Sequence, residues 1–349
     1  MCPGTLEAEG LAVTIKQISE LCGVSRGTVD RVLNHRGKVK PETERKIRRM
    51  AEQLGYTPNM AGKALAARKR ELVVGVALVS EGNAFFDEVL CGIQKAEAEL
   101  KDYGVRVLVR TTKGYDVGRQ LALLEELAEE ANAVILNPIN DAQIARRIDS
   151  LVEEGICVIT VNTDIEGTRR LCYVGSDYIS SGETACGMMG LLTGGRAEIG
   201  VVTGSVKVLG HNQRITGFRN IMKKKYPQFH VADFAESNDD DEQAYEAAKG
   251  MLTEHPEIDA LYLVAAGVAG VCRAAEELGR SEKLCIICFD STPQIMAAIQ
   301  HGEIRATICQ QPFVQGYESV KAAYHFLVGG VKPREQFIVK NEIKIAENL

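Results

Sequence analysis

The chain has 349 residues, of which 45% are hydrophobic and 25% charged, and its formal net charge is −6. This length allows two or three globular domains with real cores, and the composition excludes an intrinsically disordered protein. No run of about 20 apolar residues exists to span a membrane, and the N-terminal segment MCPGTLEAEG lacks the basic and apolar regions of a secretory signal. Because ten scattered cysteines in a chain of this size do not require disulfides, we expect a cytoplasmic protein.

Charge is distributed unevenly along the chain. Residues 1–70 hold 14 Lys or Arg and 7 Asp or Glu, a balance of +7, whereas the remaining residues have a balance of −13. A basic head on an acidic body favours contact of the head with a polyanion such as DNA. A merely solvated basic segment is the alternative that charge alone leaves open.

The first predicted elements are three short helices near the N-terminus. Thr14 can cap the first helix, and Ser25 can cap the second, which is predicted to run from Arg26 to Asn34. Pro41 occupies the first position of the third helix, which stops at Gly55. Because a tight glycine-containing turn joins the first two, we predict a helix-turn-helix module.

Beyond residues 59–70, a short Ala-rich segment, apolar strand-like runs alternate with amphipathic helical stretches. This alternation is typical of parallel sheets covered by helices on both faces. Some 280 residues exceed one compact sheet, so we predict two doubly wound α/β lobes. The predicted strands are Leu72–Val79, Val105–Val109, Ala133–Leu136, Cys157–Val161, Glu198–Thr203, Ala260–Val264, Leu284–Phe289 and Arg305–Cys309.

Both parts resemble the lac repressor (LacI) family of bacterial transcription regulators, from Val13 to the C-terminus. The head carries Val24-Ser25-x-x-Thr28-Val29-x-Arg31-Val32-Leu33-Asn34, followed by Leu54-Gly55-Tyr56-x-Pro58-Asn59. The body is similar to the ribose-type (type I) periplasmic binding proteins through Asn83-x-Phe85-Phe86, Asn137-Pro138, Val158-Ile159-Thr160-Val161-Asn162, Gly175-Ser176-Asp177, Arg214-x-x-Gly217-Phe218, Phe289-Asp290-x-Thr292-Pro293 and Ala306-Thr307-Ile308-Cys309-Gln310.

The resemblance implies three parts of the chain. They are an all-α helix-turn-helix headpiece (13–58), a hinge helix or linker (59–70) and a ligand-binding domain (71–349). Within the last part we expect an N-lobe of about 71–176 and 311–339, and a C-lobe of about 177–310 and 340–349.

The second helix of a helix-turn-helix module meets base edges in the major groove with its N-terminal residues. The resemblance gives the main reading role to Arg26 and Gly27, and Arg26 can donate two hydrogen bonds to guanine N7 and O6. A phosphate contact or a free surface arginine is the alternative. Asp30 departs from the small hydroxyl residue usual there; it can accept from a cytosine amino group or, as we favour, pair with Arg26. Further expected DNA contacts of the headpiece are Thr14, Ser25, Thr28, Arg31 and Asn34.

Residues 59–70 resemble the family's hinge helix, which folds when two subunits meet over the operator centre. Leu65 occupies the position of a leucine wedge that kinks the duplex, Ala64 is small enough to enter the minor groove, and Lys63 is available for phosphates. An unstructured linker with an incidental leucine is the alternative. One hinge helix per subunit implies a homodimer, with a tetramer also open, and a near-palindromic operator.

A ligand of an open α/β sheet binds beyond the carboxyl ends of the strands. By resemblance the sugar-contacting positions are Asn83, Phe85, Phe86, Asn162, Arg214, Asp290 and Gln310. Amide, carboxylate and guanidinium groups can hydrogen-bond neighbouring hydroxyls, and phenyl rings can cover the C–H face of a polyol; the alternative is that one phenylalanine belongs to the core.

Two departures from the family pattern limit the ligand prediction. Ala265-Ala266-Gly267 stands where the family often has an Asn-Asp pair, which removes a hydrogen-bonding group from the far lobe. Asn162-Thr163 replaces an Asp-Arg pair that holds ribose, which argues against ribose itself.

The sequence therefore predicts a ligand-responsive transcription regulator, expected to be a repressor, with a carbohydrate or polyol effector and neither cofactor nor metal. A sugar-binding protein without a regulatory role would share the body but not the head. A carbohydrate-modifying enzyme is the other alternative, but H-E-x-x-H and G-x-x-x-x-G-K patterns are absent. Cys285 and Cys288 lie in an apolar strand, where buried thiols are the default.

Overall fold

A computed structural model describes residues 13–33, 39–56 and 71–349. The chain forms two compact units, one of Met1–Arg70 with His325–Lys332 and one of Glu71–Tyr324 with Pro333–Leu349. The predicted hinge helix at 59–70 lies outside the described residues.

Residues 13–33 and 39–56 of the first unit form three helices around a small apolar core. They are α1 (Ile15–Cys22), α2 (Arg26–Leu33) and α3 (Pro41–Gln53), and each begins where the sequence predicted. Thr14 caps α1 in a reciprocal box with Gln17, and Ser25 Oγ accepts from the backbone N–H of Thr28 at the start of α2. The core residues are Ile18, Cys22, Val29, Val32, Ile47 and Ala51. The predicted helix-turn-helix module is thereby confirmed.

The strands and helices of the second unit alternate along the chain. Its strands are β1 (Leu72–Val79), β2 (Val105–Thr112), β3 (Ala133–Leu136), β4 (Cys157–Asn162), β5 (Cys172–Ser176), β6 (Arg196–Thr203), β7 (Gln228–Glu236), β8 (Ala260–Leu263), β9 (Cys285–Phe289), β10 (Ala306–Cys309), β11 (Gln336–Val339) and β12 (Glu342–Lys344). The α-helices are α4 (Phe85–Leu100), α5 (Val117–Ala128), α6 (Ala142–Glu153), α7 (Tyr178–Leu192), α8 (Leu209–Lys225), α9 (Asp241–Glu254), α10 (Val268–Glu277), α11 (Pro293–Gln300) and α12 (Pro312–Gly329).

The strands build two six-stranded sheets. The first has the order β11-β5-β4-β3-β1-β2 with parallel pairings, and the second has the order β12-β10-β9-β8-β6-β7, in which β12 runs antiparallel to β10. Buried clusters from the helices cover the second sheet on two sides. This arrangement confirms the predicted fold class, a helical headpiece followed by two doubly wound α/β sheets.

All eight predicted strands form, and four strands escaped prediction, namely β5, β7, β11 and β12. β7 and β11 are edge strands with mostly exposed or half-buried side chains. An edge strand needs no continuous apolar run, so its sequence carries little of the signal that marks a central parallel strand.

Helices α7 and α8 approach closely enough for backbone contact. A Cβ at Gly182 would lie 1.9 Å from the carbonyl oxygen of Arg214, and a Cβ at Gly217 would lie 2.0 Å from that of Ile179. Glycine at these two positions therefore sets the distance between the helices and with it the position of Arg214. Within the described residues, no helix is long and apolar enough to cross a bilayer.

Candidate functional site

The carboxyl ends of the strands of both sheets surround one small cavity of ≈ 40 Å³, which adjoins a wider groove of ≈ 410 Å³. All seven residues predicted from the sequence line the cavity: Asn83, Phe85, Phe86, Asn162, Arg214, Asp290 and Gln310. Residues 130 or more positions apart in sequence are thus brought together, as expected for the strand ends of an open α/β sheet. That these residues contact a ligand stays a prediction.

Arg214 is the central cation of the cavity and is only 2% exposed. Its Nη1 donates to the carbonyl oxygen of Val264 at 2.6 Å, and its guanidinium carbon lies 3.5 Å from the centroid of the Phe289 ring. Nε and Nη2 are buried without a partner among the described residues. Because buried donors are costly when unpaired, these two N–H groups indicate where an acceptor of a ligand would bind.

Asp290 and Gln310 form the facing polar pair. Gln310 Nε2 donates to Asp290 Oδ1 at 2.8 Å, while Gln310 Oε1 is buried without a partner among the described residues. Burial raises the pKa of the Asp290 carboxyl, although the nearby Arg214 cation partly opposes this rise. The pair therefore offers acceptors beside the unpaired donors of Arg214, an arrangement suited to a ligand that carries both kinds of group.

Phe85 and Phe86 provide the apolar wall. Both side chains are buried, both line the cavity, and their rings pack edge to face with centroids 5.3 Å apart. Asn83 holds the turn before them, because its Oδ1 accepts from the backbone N–H of Phe85 at 3.1 Å. Neither phenylalanine is confined to the core away from the cavity.

Strained backbone is concentrated at this site. In the described part of the chain, five residues other than glycine have a positive φ, namely Asn162 (64°), Asn238 (51°), Asp239 (59°), Asp290 (76°) and Gln311 (51°). Four of them line the cavity or the groove, and Gln311 follows the cavity residue Gln310. A left-handed backbone costs a residue other than glycine about 1 kcal/mol or more. Such residues are concentrated at functional sites, where the orientation of a side chain must be fixed.

Asp239 is a cavity residue that sequence reasoning missed. It follows β7, the edge strand that escaped prediction, and its Oδ1 accepts from the backbone N–H of Ala266 at 3.1 Å. The Tyr115 hydroxyl donates to Oδ2 from the other side of the cavity. Burial raises the pKa of Asp239 to about 7, and the Asp290 charge adds to the rise. The expectation that the far lobe had lost a polar group beside Ala265-Ala266-Gly267 is therefore incomplete, since Asp239 places a carboxylate there.

His211 lines the cavity as a neutral side chain. Its Nδ1 accepts from the backbone N–H of Ser205 at 3.1 Å, and burial together with the Arg214 cation lowers its pKa to about 3. Next to it, Gly210 N–H donates to Thr163 Oγ1 at 3.3 Å, which links α8 to the residue after β4. Lone histidines and short hydroxyl residues carry no distinctive sequence signal, so neither was predicted.

The predicted DNA-reading residues lie at the start of α2. Arg26 and Gly27 are exposed there, and Arg31 Nε donates to the Gly27 carbonyl oxygen at 3.1 Å. The favoured Arg26–Asp30 pair stays a prediction. Burial raises the pKa of Tyr56, and the nearby Asp30 charge adds to this rise. The remaining predicted contacts Asn34, Lys63, Ala64 and Leu65 lie outside the described residues.

Two parts of the chain match known families. Residues 14–59 match the bacterial regulatory proteins of the lacI family, and residues 74–330 match the periplasmic binding protein domain. Catabolite control protein A of Priestia megaterium is 26% identical over 300 residues, 82% of this chain and 87% of that protein. The ribose operon repressor of Lactococcus lactis is 29% identical over 242 residues, 69% of each. A glucose-galactose binding protein from Geobacillus stearothermophilus superposes with a TM-score of 0.75 at 26% identity, over 80% of this chain and 99% of that one.

Proposed function

The chain belongs to the lacI family of bacterial regulatory proteins, and we propose on this basis that it is a DNA-binding repressor whose operator affinity is controlled by a carbohydrate or polyol. The observation that carries the effector part is the set of unpaired buried atoms in one cavity: Arg214 Nε and Nη2, and Gln310 Oε1. A polyol hydroxyl both donates and accepts, so it can satisfy all three. The names of the ribose operon repressor and the glucose-galactose binding protein support the same ligand class.

The DNA-binding part rests on the helix-turn-helix module. Arg26 and Gly27 at the start of α2 read base edges in the major groove, while Ser25, Thr28 and Arg31 contact phosphates or neighbouring bases. Ser25 and Thr28 hydroxyls lie 2.9 Å apart at the helix start, so capping and phosphate contact use the same groups. A homodimer places two such helices on a near-palindromic operator in the cytoplasm, with Leu65 of each hinge at its centre.

Effector and operator binding are coupled through the two lobes. We assign the N-lobe to about 71–176 and 311–339 and the C-lobe to about 177–310 and 340–349. Groups from both lobes surround the cavity, so an effector closes them on each other and changes how the N-lobes pack in the dimer. A coupling free energy of about 1–3 kcal/mol changes operator affinity roughly 5–150-fold.

Two measurements on the full chain test this proposal. Selection from random duplexes identifies the operator, and a thermal-shift screen over sugars and cyclitols identifies the effector, since a ligand at 100 times its Kd adds roughly 2.7 kcal/mol of stability. We expect a symmetric duplex to be selected and its affinity to change when the effector is added. No preference for any symmetric duplex over random DNA, with or without effector, would refute the proposal.

A further inference from the structure

The charged groups that line the small cavity do not balance. Among the described residues around it, Asp239 and Asp290 are carboxylates, His211 is held neutral by burial, and Arg214 is the one cation. Arg214 and Asp290 offset each other electrostatically. When it is ionised, Asp239 therefore carries the charge that no cation of the cavity compensates.

The surrounding structure is shaped to hold Asp239 where it is. Its backbone is left-handed, with φ at 59°. A Cβ at Gly204 would lie 2.3 Å from Asp239 Oδ1, so a larger residue there would force the carboxylate to move. Ala266 donates its N–H from beneath, and the Tyr115 hydroxyl donates from across the cavity. The left-handed backbone of Asp239, the glycine at position 204 and the two hydrogen-bond donors together indicate that the position of this carboxylate matters to the protein.

The acidic residues next to Asp239 cap a helix or pair with a cation. Asp240 caps α9 by accepting from the N–H groups of Glu242 and Gln243. Glu242 forms an ion pair with Arg273 at 2.9 Å. Asp239 caps no helix and pairs with no cation among the described residues. It lines both the cavity and the groove, so it meets a ligand that enters through either.

The unpaired atoms of Arg214 and Gln310 independently support a ligand in this cavity. When Asp239 is ionised, a neutral ligand leaves one uncompensated negative charge in the cavity, and an anionic ligand leaves two. A ligand with one ammonium group brings the sum to zero, and its three N–H donors can reach Asp239 and neighbouring acceptors. Because an uncompensated charge taken out of water is costly, the charge of the ligand decides affinity.

We infer that the effector is an amino polyol, an amino sugar or amino cyclitol with a protonated nitrogen, and that Asp239 is the residue that selects it. This inference rests on the proposed function and specifies its ligand class. Neutral parent sugars, N-acetylated amino sugars, sugar acids and sugar phosphates bind more weakly, because none of them brings a positive charge to Asp239.

Matched ligand sets on the full chain test the inference by calorimetry. One set is glucose, glucosamine, N-acetylglucosamine and glucuronate; the galactose and mannose sets, and inositol with its amino derivative, complete the panel. In the set that binds, we expect the free amine to bind at least about tenfold more tightly than the parent and the N-acetyl form. Asp239→Asn, which keeps the shape, should remove this advantage. Glu246→Gln, an exposed residue of α9, removes the same charge outside the cavity and should preserve it.

The outcomes distinguish a failure of the amine preference from a failure of the proposed carbohydrate effector. Tighter binding of a neutral parent or of an acid would overturn the inference and leave the carbohydrate effector in place. An amine preference that survives Asp239→Asn would overturn the role of Asp239. Binding by no member of any set would count against the carbohydrate effector itself. If Asp239→Asn fails to fold, the wild-type comparison of the amine with its parent sugar still decides, since a hydroxyl and an ammonium group are similar in size and differ in charge.

Discussion

Gln310 donates a hydrogen bond from Nε2 to Oδ1 of Asp290 at 2.8 Å, and this bond joins the residues that follow β10 and β9. The backbone supports the same contact, because Asp290 N–H donates to the Ile308 carbonyl oxygen at 3.0 Å. Asp290 is thus held by its neighbours at φ 76°, and its carboxylate is oriented before any ligand binds. Preorganisation of this kind reduces the entropy that binding costs.

Asp290→Asn should weaken effector binding strongly while operator binding stays intact. Asparagine tolerates the left-handed backbone, so the fold should be kept, but the neutral amide cannot make charge-assisted hydrogen bonds. The loss of such a bond corresponds to about 1.5–3 kcal/mol, or roughly 10–150-fold in Kd. Calorimetry with the effector and fluorescence anisotropy with the operator measure the two activities. Loss of both would show that Asp290 is structural.

Arg26→Ala should reduce specific DNA binding by about 1–3 kcal/mol, because a bidentate contact to guanine is removed. The affinity for random duplex should change little, since the variant loses only one positive charge near the DNA phosphates. Arg49→Ala, at an exposed position of α3, removes the same charge away from the reading end of α2 and serves as the control. Anisotropy at fixed salt with operator and random duplexes compares the three proteins. An equal loss on both duplexes for Arg26→Ala would assign this arginine to phosphate.

Gly182→Ala should destabilise the protein by about 1–3 kcal/mol and weaken effector binding. The added methyl would lie 1.9 Å from the Arg214 carbonyl oxygen, so α7 and α8 must separate and Arg214 must move. Gly187→Ala lies in the same helix with nothing within 4 Å of its Cβ, and it should stabilise by about 0.5–1 kcal/mol. Urea denaturation and calorimetry give the two quantities. A Gly182→Ala protein with wild-type stability and affinity would show that the helices can relax freely.

The stability of the ligand-free protein should depend on pH through Asp239. Folding raises the pKa of this carboxyl from 3.8 to about 7, so the folded state holds the proton more tightly than the unfolded state. Its contribution to the free energy of unfolding is present at low pH and is lost as pH rises from about 4 through 7. Asp239→Asn removes this dependence.

The melting temperature of Asp239→Asn minus that of the wild type should therefore increase between pH 5 and pH 8. His211, whose pKa is lowered to about 3, destabilises both proteins at acid pH, so it largely cancels in the difference. Thermal unfolding of the two proteins in matched buffers measures the effect. A difference that stays constant over this pH range would show that Asp239 ionises normally in the folded chain.

Local sequence signals determined the headpiece and the central strands. Thr14, Ser25 and Pro41 mark helix starts through capping and backbone geometry, which involve residues only a few positions apart. The run Leu72–Val79 is apolar throughout because a central parallel strand is covered on both faces. The predicted strand ends placed residues such as Asp290 at one edge of a sheet, but they did not predict which residues those side chains contact.

Tertiary structure alone decided what meets at the cavity. Tyr115 and Asp239 are 124 residues apart and touch only because two sheets face each other, and no periodicity in the sequence encodes such a pairing. Asp239 was missed because β7 is an edge strand without an apolar run. Spacing along the chain determines which residues can be neighbours on one element; packing between elements determines which charges share a cavity.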